Sequence, residues 1–479
     1  MNLRLDARVV GVLVALLGAF HGVPLVAALW FGESPWPWIA SGAGVALAGL
    51  AVRALSRPQS RALRPRDAYL VVAAGWLAAS GVGAIPYLAL GALGPVDALF
   101  ESVSGFTTTG STVMIGLEDA PRALLLWRAL TQWVGGMGII LFAVAVLPLL
   151  GIGGMQLFRI EVPGPVKDKL RPRIIETARR LWAIYVGLTA LQWGALRFAG
   201  MNGFEALCHS FTTLATGGFS TRDASIGAFA SPAIEWIVIA FMLLAGVNFV
   251  LLWRTLVEGP RVVSRDIELR YYVVVILVAT LLIAPLLPAE HVGDVEERIR
   301  NALFGVVSIA STTGYGTVDF ELWPALAQLV LLQLMILGGM AGSTAGGVKS
   351  LRVLIGFRAV GVAVKKLVHP RAVLPVKYGG RAVPEDVVAG VWAFFTAYFA
   401  IAALAAAIVA SAGYDVTTAV SSALTAIGNV GPGLGAVGPY DNFAHMPVQV
   451  KLVLAGCMLA GRLEVFTILV LLQPGFWRR

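Results

Sequence analysis

Runs of about 20 predominantly apolar residues recur along this chain, each long enough to cross a hydrocarbon core of roughly 30 Å as a helix. Hydrophobic residues make up 58% of the 479 and charged residues only 13%. So few charges cannot coat a water-soluble surface of this size, and the apolar runs must face lipid. The expected fold is an all-α integral membrane protein. Two runs, 9–30 and 38–55, precede a repeated part. The first lacks an Ala-x-Ala-like cleavage site and is followed at once by the second, so it reads as an anchor and not as a removed signal peptide.

A net charge of +9 raises the question of nucleic acid, and the placement of the charges answers it. Arg57, Arg61, Arg64 and Arg66 form one basic group, and Lys167, Lys169, Arg171, Arg173, Arg179 and Arg180 a second. Arg254, Arg261, Arg265 and Arg270 form a third, and a fourth runs from Lys349 through Lys365 and Lys366 to Arg381. The loops between them carry acids instead, among them Glu290, Asp294, Glu296 and Glu297. Alternation of this kind follows the positive-inside rule, which makes the basic loops and both termini cytoplasmic and gives no support to a nucleic-acid partner. Cys208 and Cys457 are too few for a disulfide framework and read as inert apolar residues. The five histidines are scattered without ligand spacing, and no nucleophile, base or paired-carboxylate arrangement points to an enzyme.

After the first two helices one pattern occurs four times: a long apolar helix, a short segment, a Gly-rich turn, a long apolar helix. The short segments are expected at 96–106, 203–212, 298–309 and 416–426. Their turns are Thr107-Thr108-Thr109-Gly110-Ser111, Leu214-Ala215-Thr216-Gly217-Gly218-Phe219, Ser311-Thr312-Thr313-Gly314-Tyr315-Gly316 and Gly428-Asn429-Val430-Gly431-Pro432. The second helices are expected at 123–150, 234–253, from 323, and at 448–472. The organisation is thus a two-helix hairpin over 1–60 and pore repeats over 61–165, 166–262, 263–370 and 371–479. At about 10 residues the short segments are half of what a span needs, so each enters and leaves on one side. One Thr-Thr-Gly stretch alone would be an ordinary extracellular loop. Four in register, each behind a half-length helix, instead predict re-entrant loops around a central pore, because irregular backbone at membrane depth survives only where protein or a wet cavity surrounds it. Their carbonyls can replace the water of a dehydrated cation, and the short helices aim partially negative C-termini at the axis.

At these residues the chain resembles the superfamily of K⁺ transporters that includes the bacterial Trk and Ktr membrane subunits and the plant HKT proteins. The resemblance extends over nearly the whole chain. It rests further on Gln132-Trp133-Val134-Gly135-Gly136-Met137-Gly138, Pro163-Gly164-Pro165-Val166-Lys167-Asp168, Gly342-Ser343-Thr344-Ala345-Gly346-Gly347-Val348-Lys349 and Gly461-Arg462-Leu463-Glu464. The two extra helices at the start favour the Trk branch. The resemblance implies one selectivity glycine per turn, carried over onto Gly110, Gly217, Gly314 and Gly431. With the residues before each, the expected K⁺ filter is Thr108, Thr109, Gly110, Ala215, Thr216, Gly217, Thr312, Thr313, Gly314, Asn429, Val430 and Gly431. Some plant relatives that prefer Na⁺ have serine at the first position, so Gly110 favours K⁺. The fourth turn departs from Thr-Thr-Gly, which predicts only approximate fourfold symmetry. The resemblance also implies K⁺ uptake across the bacterial inner membrane, a homodimer with one pore per protomer, and a cytosolic nucleotide-binding regulatory subunit of the TrkA type.

Gly433-Leu434-Gly435-Ala436-Val437-Gly438 spells a dinucleotide fingerprint, but a filter turn precedes it and Pro439 follows it where a strand and a helix are required. The run from Gly342 to Lys349 has one residue too many before its lysine to be a phosphate loop. Five glycines in the ten residues 338–347, at about 1 kcal/mol each relative to alanine, make a continuous helix improbable. Close helix packing is the plain alternative. The favoured expectation is an irregular intramembrane loop that can block the pore, with Ser343 and Thr344 able to contact ions. The gating set is Gly338, Gly339, Gly342, Ser343, Thr344, Gly346, Gly347, Lys349 and Arg462. Arg462 is expected near the middle of the last helix, facing the cavity and holding the loop through its carbonyls, since residues two apart do not face each other and Glu464 cannot pair with it within one helix. A secondary transporter coupling K⁺ to H⁺ or Na⁺ is the alternative to a channel. It would need an intramembrane acid or base to titrate, or a second ion site, and the helix interiors are almost free of carboxylates, Glu101 and Glu464 being the chief exceptions.

Overall fold

The computed structural model describes residues 3–56, 65–145, 170–288 and 293–478. The motif Pro163 to Asp168, the charged residues Arg57, Arg61, Arg64, Lys167, Lys169 and Glu290, the end of the helix expected over 123–150, and the unit boundaries after 60 and 165 lie outside these residues. The described chain is mostly helical. Among the described residues the one ladder pairs Lys377 with Ala382 and Tyr378 with Arg381.

The N-terminal hairpin consists of α1 (Leu3–Phe20), continued after a break at His21 by α2 (Gly22–Phe31), and α3 (Trp36–Leu55). Small residues let α1 and α3 touch along their backbones. A methyl on Gly11 would lie 2.8 Å from the Gly49 carbonyl oxygen, and one on Gly18 would lie 2.8 Å from the Ala46 Cα. In lipid, where burying apolar surface gains little, such close packing is what joins helices.

Next come α4 (Pro65–Ala89), the short α5 (Pro95–Phe106) and α6 (Arg122–Ala145), then α7 (Leu170–Phe198) and the short α8 (Gly203–Leu214). Beyond these lie α9 (Pro232–Ala245), α10 (Phe249–Glu258), α11 (Arg261–Arg265), α12 (Ile267–Ile283) and the short α13 (Val295–Ala310). Then come α14 (Ala325–Leu337), α15 (Ser350–Val368), α16 (Glu385–Ser411), the short α17 (Val416–Gly428), α18 (Val448–Arg462) and α19 (Phe466–Leu472), with a last helical turn at Pro474–Trp477. By length and composition, five helices of the described residues can cross a membrane, and two bent pairs add up to two further spans.

Each short helix starts where local chemistry stops the preceding loop. Gly94 precedes a proline at the first helical position of α5. Asn202 accepts from the Glu205 amide (2.8 Å), Asp294 from Glu297 (2.8 Å) and Asp415 from Thr417 (3.0 Å). These side chains satisfy amides that a helix start leaves open. Ion pairs then fix the short helices among their neighbours: Glu101 to Arg128 (2.9 Å), Glu205 to Arg222 (2.7 Å), Arg300 to Glu235 (2.7 Å) and Asp97 to Lys451 (2.6 Å).

Two helices expected to be continuous are sharply bent. The one expected over 234–253 turns by 96° between α9 and α10, and the one expected over 448–472 turns by 113° between α18 and α19. At the first break Asn248 caps α10 by accepting from the Val250 (2.8 Å) and Leu251 (3.2 Å) amides. At the second, Glu464 and Val465 take left-handed φ values of 62° and 39°, which stop a right-handed helix. Arg462 is therefore the last residue of α18 and not mid-helix. Glu464, turned out by the break, pairs with Arg352 of α15.

Candidate ion pathway

The backbone after the four short helices repeats. An amide reaches back five residues to a helix carbonyl in each turn: Thr109 to Ser104 (2.9 Å), Gly217 to Thr212 (2.8 Å), Thr313 to Ser308 (2.9 Å) and Val430 to Thr425 (3.0 Å). The residue before each of these amides is left-handed, with φ of 53° at Thr108, 54° at Thr216, 57° at Thr312 and 54° at Asn429. The residue after it is a left-handed glycine: Gly110 (88°), Gly218 (75°), Gly314 (80°) and Gly431 (110°).

This register corrects the expectation for the second turn. Gly218, not Gly217, occupies the position of Gly110, Gly314 and Gly431, while Ala215 corresponds to Thr107. Gly217 instead matches Thr109, and its carbonyl accepts from Gln132 Nε2 (2.7 Å). Gln132 Oε1 in turn accepts from the Phe219 amide (3.1 Å).

The turns also meet in a closed order. A methyl on Gly110 would overlap the Gly217 carbonyl oxygen, one on Gly218 the Thr313 oxygen, and one on Gly314 the Val430 oxygen. One on Gly431 would stand 2.7 Å from the Thr109 oxygen, which returns to the first turn. Each turn thus packs a glycine face against the next turn's backbone, and four equivalent contacts complete a ring. The four glycines line one open cavity, together with Arg128, Arg222, Asp223 and Asp441. Ser111 Oγ donates to the Gly431 carbonyl (3.0 Å) and Asn429 Nδ2 to Thr109 Oγ1 (3.0 Å), joining the first and fourth turns. Arg128 joins the first and second. It donates to Glu101 (2.9 Å), to Thr112 Oγ1 (3.1 Å) and to the Ser220 carbonyl (2.9 Å). Glu101 also accepts from Thr112 Oγ1 (2.9 Å) and the Val113 amide (2.9 Å).

On the other side of the ring lies the glycine-rich segment. Helix α14 stops at Leu337, Gly338 takes φ 68°, and irregular backbone continues to Lys349 (φ 75°). The Gly346 amide donates to Thr312 Oγ1 (2.7 Å), and Thr344 Oγ1 donates to the Leu214 (2.9 Å) and Ala245 (3.2 Å) carbonyls. A methyl on Gly346 would overlap the Gly428 carbonyl and lie 2.9 Å from Asn429 Cβ. The loop therefore seats directly against the ends of α8 and α17 and against the third turn. Gly342 and Gly347 are left-handed at 77° and 72°, and Gly338 and Gly339 pack on the loop's far limb and on Gly246. The Ser343 hydroxyl turns back to the Met340 carbonyl (2.6 Å), and Lys349 Nζ donates to the Ala345 carbonyl. Arg462, 1% exposed, donates to the Thr344 carbonyl (2.8 Å) and the Gly135 carbonyl (3.2 Å).

Residues not singled out from sequence also belong here. Arg128 and Gln132 lie in and beside a recognised motif yet carried no assigned role, and Asn248 sits within an apolar run. An arginine, a glutamine and an asparagine within apolar stretches, each costly to bury unless bonded, were the available signals. The Gly433 to Gly438 run is irregular. Gly433 donates to the Val437 carbonyl (2.6 Å) and Leu434 to Ser421 Oγ (2.9 Å), and no helix opens before Val448.

A family model described as TrkH, cation transport protein, matches residues 41–477. The chain is 43% identical over 485 residues to the Trk system potassium uptake protein TrkH of Salmonella typhimurium, covering all of both chains. It is 36% identical over 423 residues to the Trk system potassium uptake protein TrkG of Escherichia coli, covering 87% of this chain and 86% of that one. The crystal structure of the potassium transporter TrkH from Vibrio parahaemolyticus superposes with a TM-score of 0.92 at 38% identity, covering all of both chains. With its ring of glycine turns and a loop seated beneath, the chain belongs to the TrkH family of cation transport proteins.

Proposed function

We propose that this chain is the membrane subunit of a Trk-type potassium uptake system, and that it conducts K⁺ through a gated, channel-like pore. The observation that carries the reading is the closed ring of four turns with the 338–349 loop packed against its inner side. In this reading four repeats of helix, re-entrant loop and helix follow the N-terminal hairpin. The turns ending at Gly110, Gly218, Gly314 and Gly431 form the selectivity filter. Backbone carbonyls there take the place of hydration water, and short helices with C-termini at the ring add their dipoles. The loop is the gate. Its Thr344 hydroxyl and Gly346 amide occupy the Leu214 carbonyl and the Thr312 hydroxyl, acceptors that an ion leaving the filter would otherwise meet. Arg462 holds the loop closed and opposes cations in the cavity.

Against the coupled-transporter alternative stands the bonding of its two chief candidate carboxylates. Glu101 is enclosed by Arg128, Thr112 and Val113, and Glu464 is paired with Arg352. A carboxylate held in this way serves as a strut and is poorly placed to exchange protons with a pathway. The protein functions in the bacterial inner membrane as a homodimer with both termini cytoplasmic, regulated by a cytosolic nucleotide-binding subunit of the TrkA type. The family membership and the basic loops support this arrangement.

The test is uptake of radiolabelled Rb⁺ into liposomes under imposed pH and Na⁺ gradients. Flux that follows the Rb⁺ electrochemical gradient alone is expected, and accumulation against that gradient would overturn the channel reading. Deleting residues 339–346 is expected to raise flux. Unchanged flux in a correctly inserted deletion would return the glycines to a packing role.

A further inference from the structure

The loop is held at two levels. Its far limb bonds to the third turn, to α8 and to Arg462. Its near limb is clipped to the elbow between α9 and α10. There the Met340 amide donates to the Gly246 carbonyl (2.9 Å), Asn248 Nδ2 donates to the Ala341 carbonyl (2.7 Å), and the Phe249 amide donates to the Gly342 carbonyl (3.1 Å). Glu268, in the first turn of α12, accepts from the Ala341 amide (2.7 Å). Gly342 has φ 77°, and a methyl there would stand 3.0 Å from Asn248 Nδ2, so the approach of loop to elbow requires glycine.

Asn248 is the only side chain of this elbow bonded to both partners among the described residues. Its oxygen caps α10 through the Val250 and Leu251 amides while its nitrogen holds the loop. A primary amide suits this double task because it is donor and acceptor at once. It is 3% exposed, and an unpaired amide at that depth is costly. The orientation of α10 and the closed position of the loop therefore share one group. Helix α10 leads away from it at 96° to α9 and ends with Leu256 and Val257 exposed.

We propose that Asn248 is a positioning residue of the gate, coupling the direction of α10 to the closed loop so that rotation of α10 about the elbow withdraws the loop from the filter. This rests on the loop being the gate. Among substitutions, Asn248→Asp and Asn248→Ser keep a helix-capping oxygen. Asp lacks the donor to Ala341, and the Ser hydroxyl is too short to serve both partners.

The experiment uses the full chain in liposomes at matched incorporation. It measures Rb⁺ flux, the ratio of K⁺ to Na⁺ permeability, and the labelling rate of a cysteine introduced by Ser343→Cys, with each Asn248 variant and with native Asn248. Loss of the clip is expected to raise flux about fivefold in Asn248→Asp, Asn248→Ser and Asn248→Ala alike, the worth of one amide hydrogen bond. Labelling of the loop cysteine should become faster and the permeability ratio stay unchanged. If the Asp and Ser variants behave as wild type while only Ala changes, the cap alone matters and the proposal fails. A changed permeability ratio would equally overturn it, by making Asn248 a support of the filter. The two readings separate cleanly. Unchanged flux on deleting 339–346 sinks the gate itself, whereas raised flux on deletion with silent Asn248 variants sinks only the coupling.

Discussion

Arg462→Ala is expected to raise K⁺ flux through the membrane subunit alone, by an amount that follows from one of its two hydrogen bonds. The guanidinium donates to the Thr344 carbonyl at 2.8 Å and to the Gly135 carbonyl at 3.2 Å. Only the first ties it to the loop. A hydrogen bond from a charged donor contributes about 1.5 to 3 kcal/mol, and each 1.4 kcal/mol is roughly a tenfold change in an equilibrium constant. Losing the Thr344 bond therefore shifts the closed-to-open balance by roughly tenfold to a hundredfold. The Gly135 bond joins Arg462 to α6, which is not part of the loop, so its loss does not enter the difference between open and closed to first order. On the proposed reading of the pathway, removing the cation also lowers an electrostatic barrier to K⁺, which acts in the same direction. Arg462→Lys keeps the charge but loses the planar fork that serves two carbonyls, and an intermediate flux is expected. Rb⁺ uptake by liposomes at equal protein incorporation, with dimer content checked by size-exclusion chromatography, measures the order Ala, Lys, wild type. An Ala variant that inserts and assembles normally yet conducts no more than wild type would refute the reasoning and make Arg462 a support of the pore wall.

Gly110→Ser and Gly218→Ser are expected to lower K⁺ preference over Na⁺, because both positions are left-handed and face the backbone of the next turn. Gly217→Ser should change the ratio less, since its new side chain meets Gln132; bi-ionic permeability ratios decide, and equal effects at 217 and 218 would contradict the assigned register. Thr312→Val removes the acceptor of the Gly346 amide and is expected to raise resting flux about fivefold, the worth of one such bond, as read by Rb⁺ uptake without partner. Glu321, in the loop before α14, has its carboxyl pushed up to about 7 by burial and by the charges of Asp319 and Asp441. A raised carboxyl pKa favours the fold fully below the unfolded value and loses that contribution as pH rises toward 7. Thermal unfolding in detergent should therefore show lower Tm at pH 8 than at pH 5, and Glu321→Gln should reduce that difference.

The short helices were legible because half-length apolar segments before a Gly-containing turn recur in register, with Thr-Thr-Gly in the first and third. The breaks at Asn248 and at Glu464 were not, because apolar length carries no direction and a helix bent by 96° or 113° scores like a straight one. Arg462 was correctly separated from Glu464 on helical spacing, yet its placement mid-helix failed for the same reason. The second turn's register was hidden by the tandem Gly217-Gly218. Either glycine could carry the left-handed φ, and only the return bond from Gly217 to Thr212 fixes which one does. Ser343 and Thr344 were both plausible ion contacts from composition, whereas the fold bonds each to backbone carbonyls.

By itself, the sequence determined membrane residence, the recurrence of four short helices each followed by a Gly-rich turn, and a glycine-rich interruption after Leu337. These follow from quantities local to the chain: apolar length, charge alternation and the loss of helix propensity at glycine. Only the tertiary structure decided that the turns close into a ring, that the loop bonds Thr312, Leu214 and Arg462, and that Asn248 joins the loop to α10. Those contacts span from about 30 to well over 100 residues along the chain. Nothing local selects one buried carbonyl over another as a partner, because every backbone offers the same acceptor and only the packed arrangement of helices brings a particular one within reach.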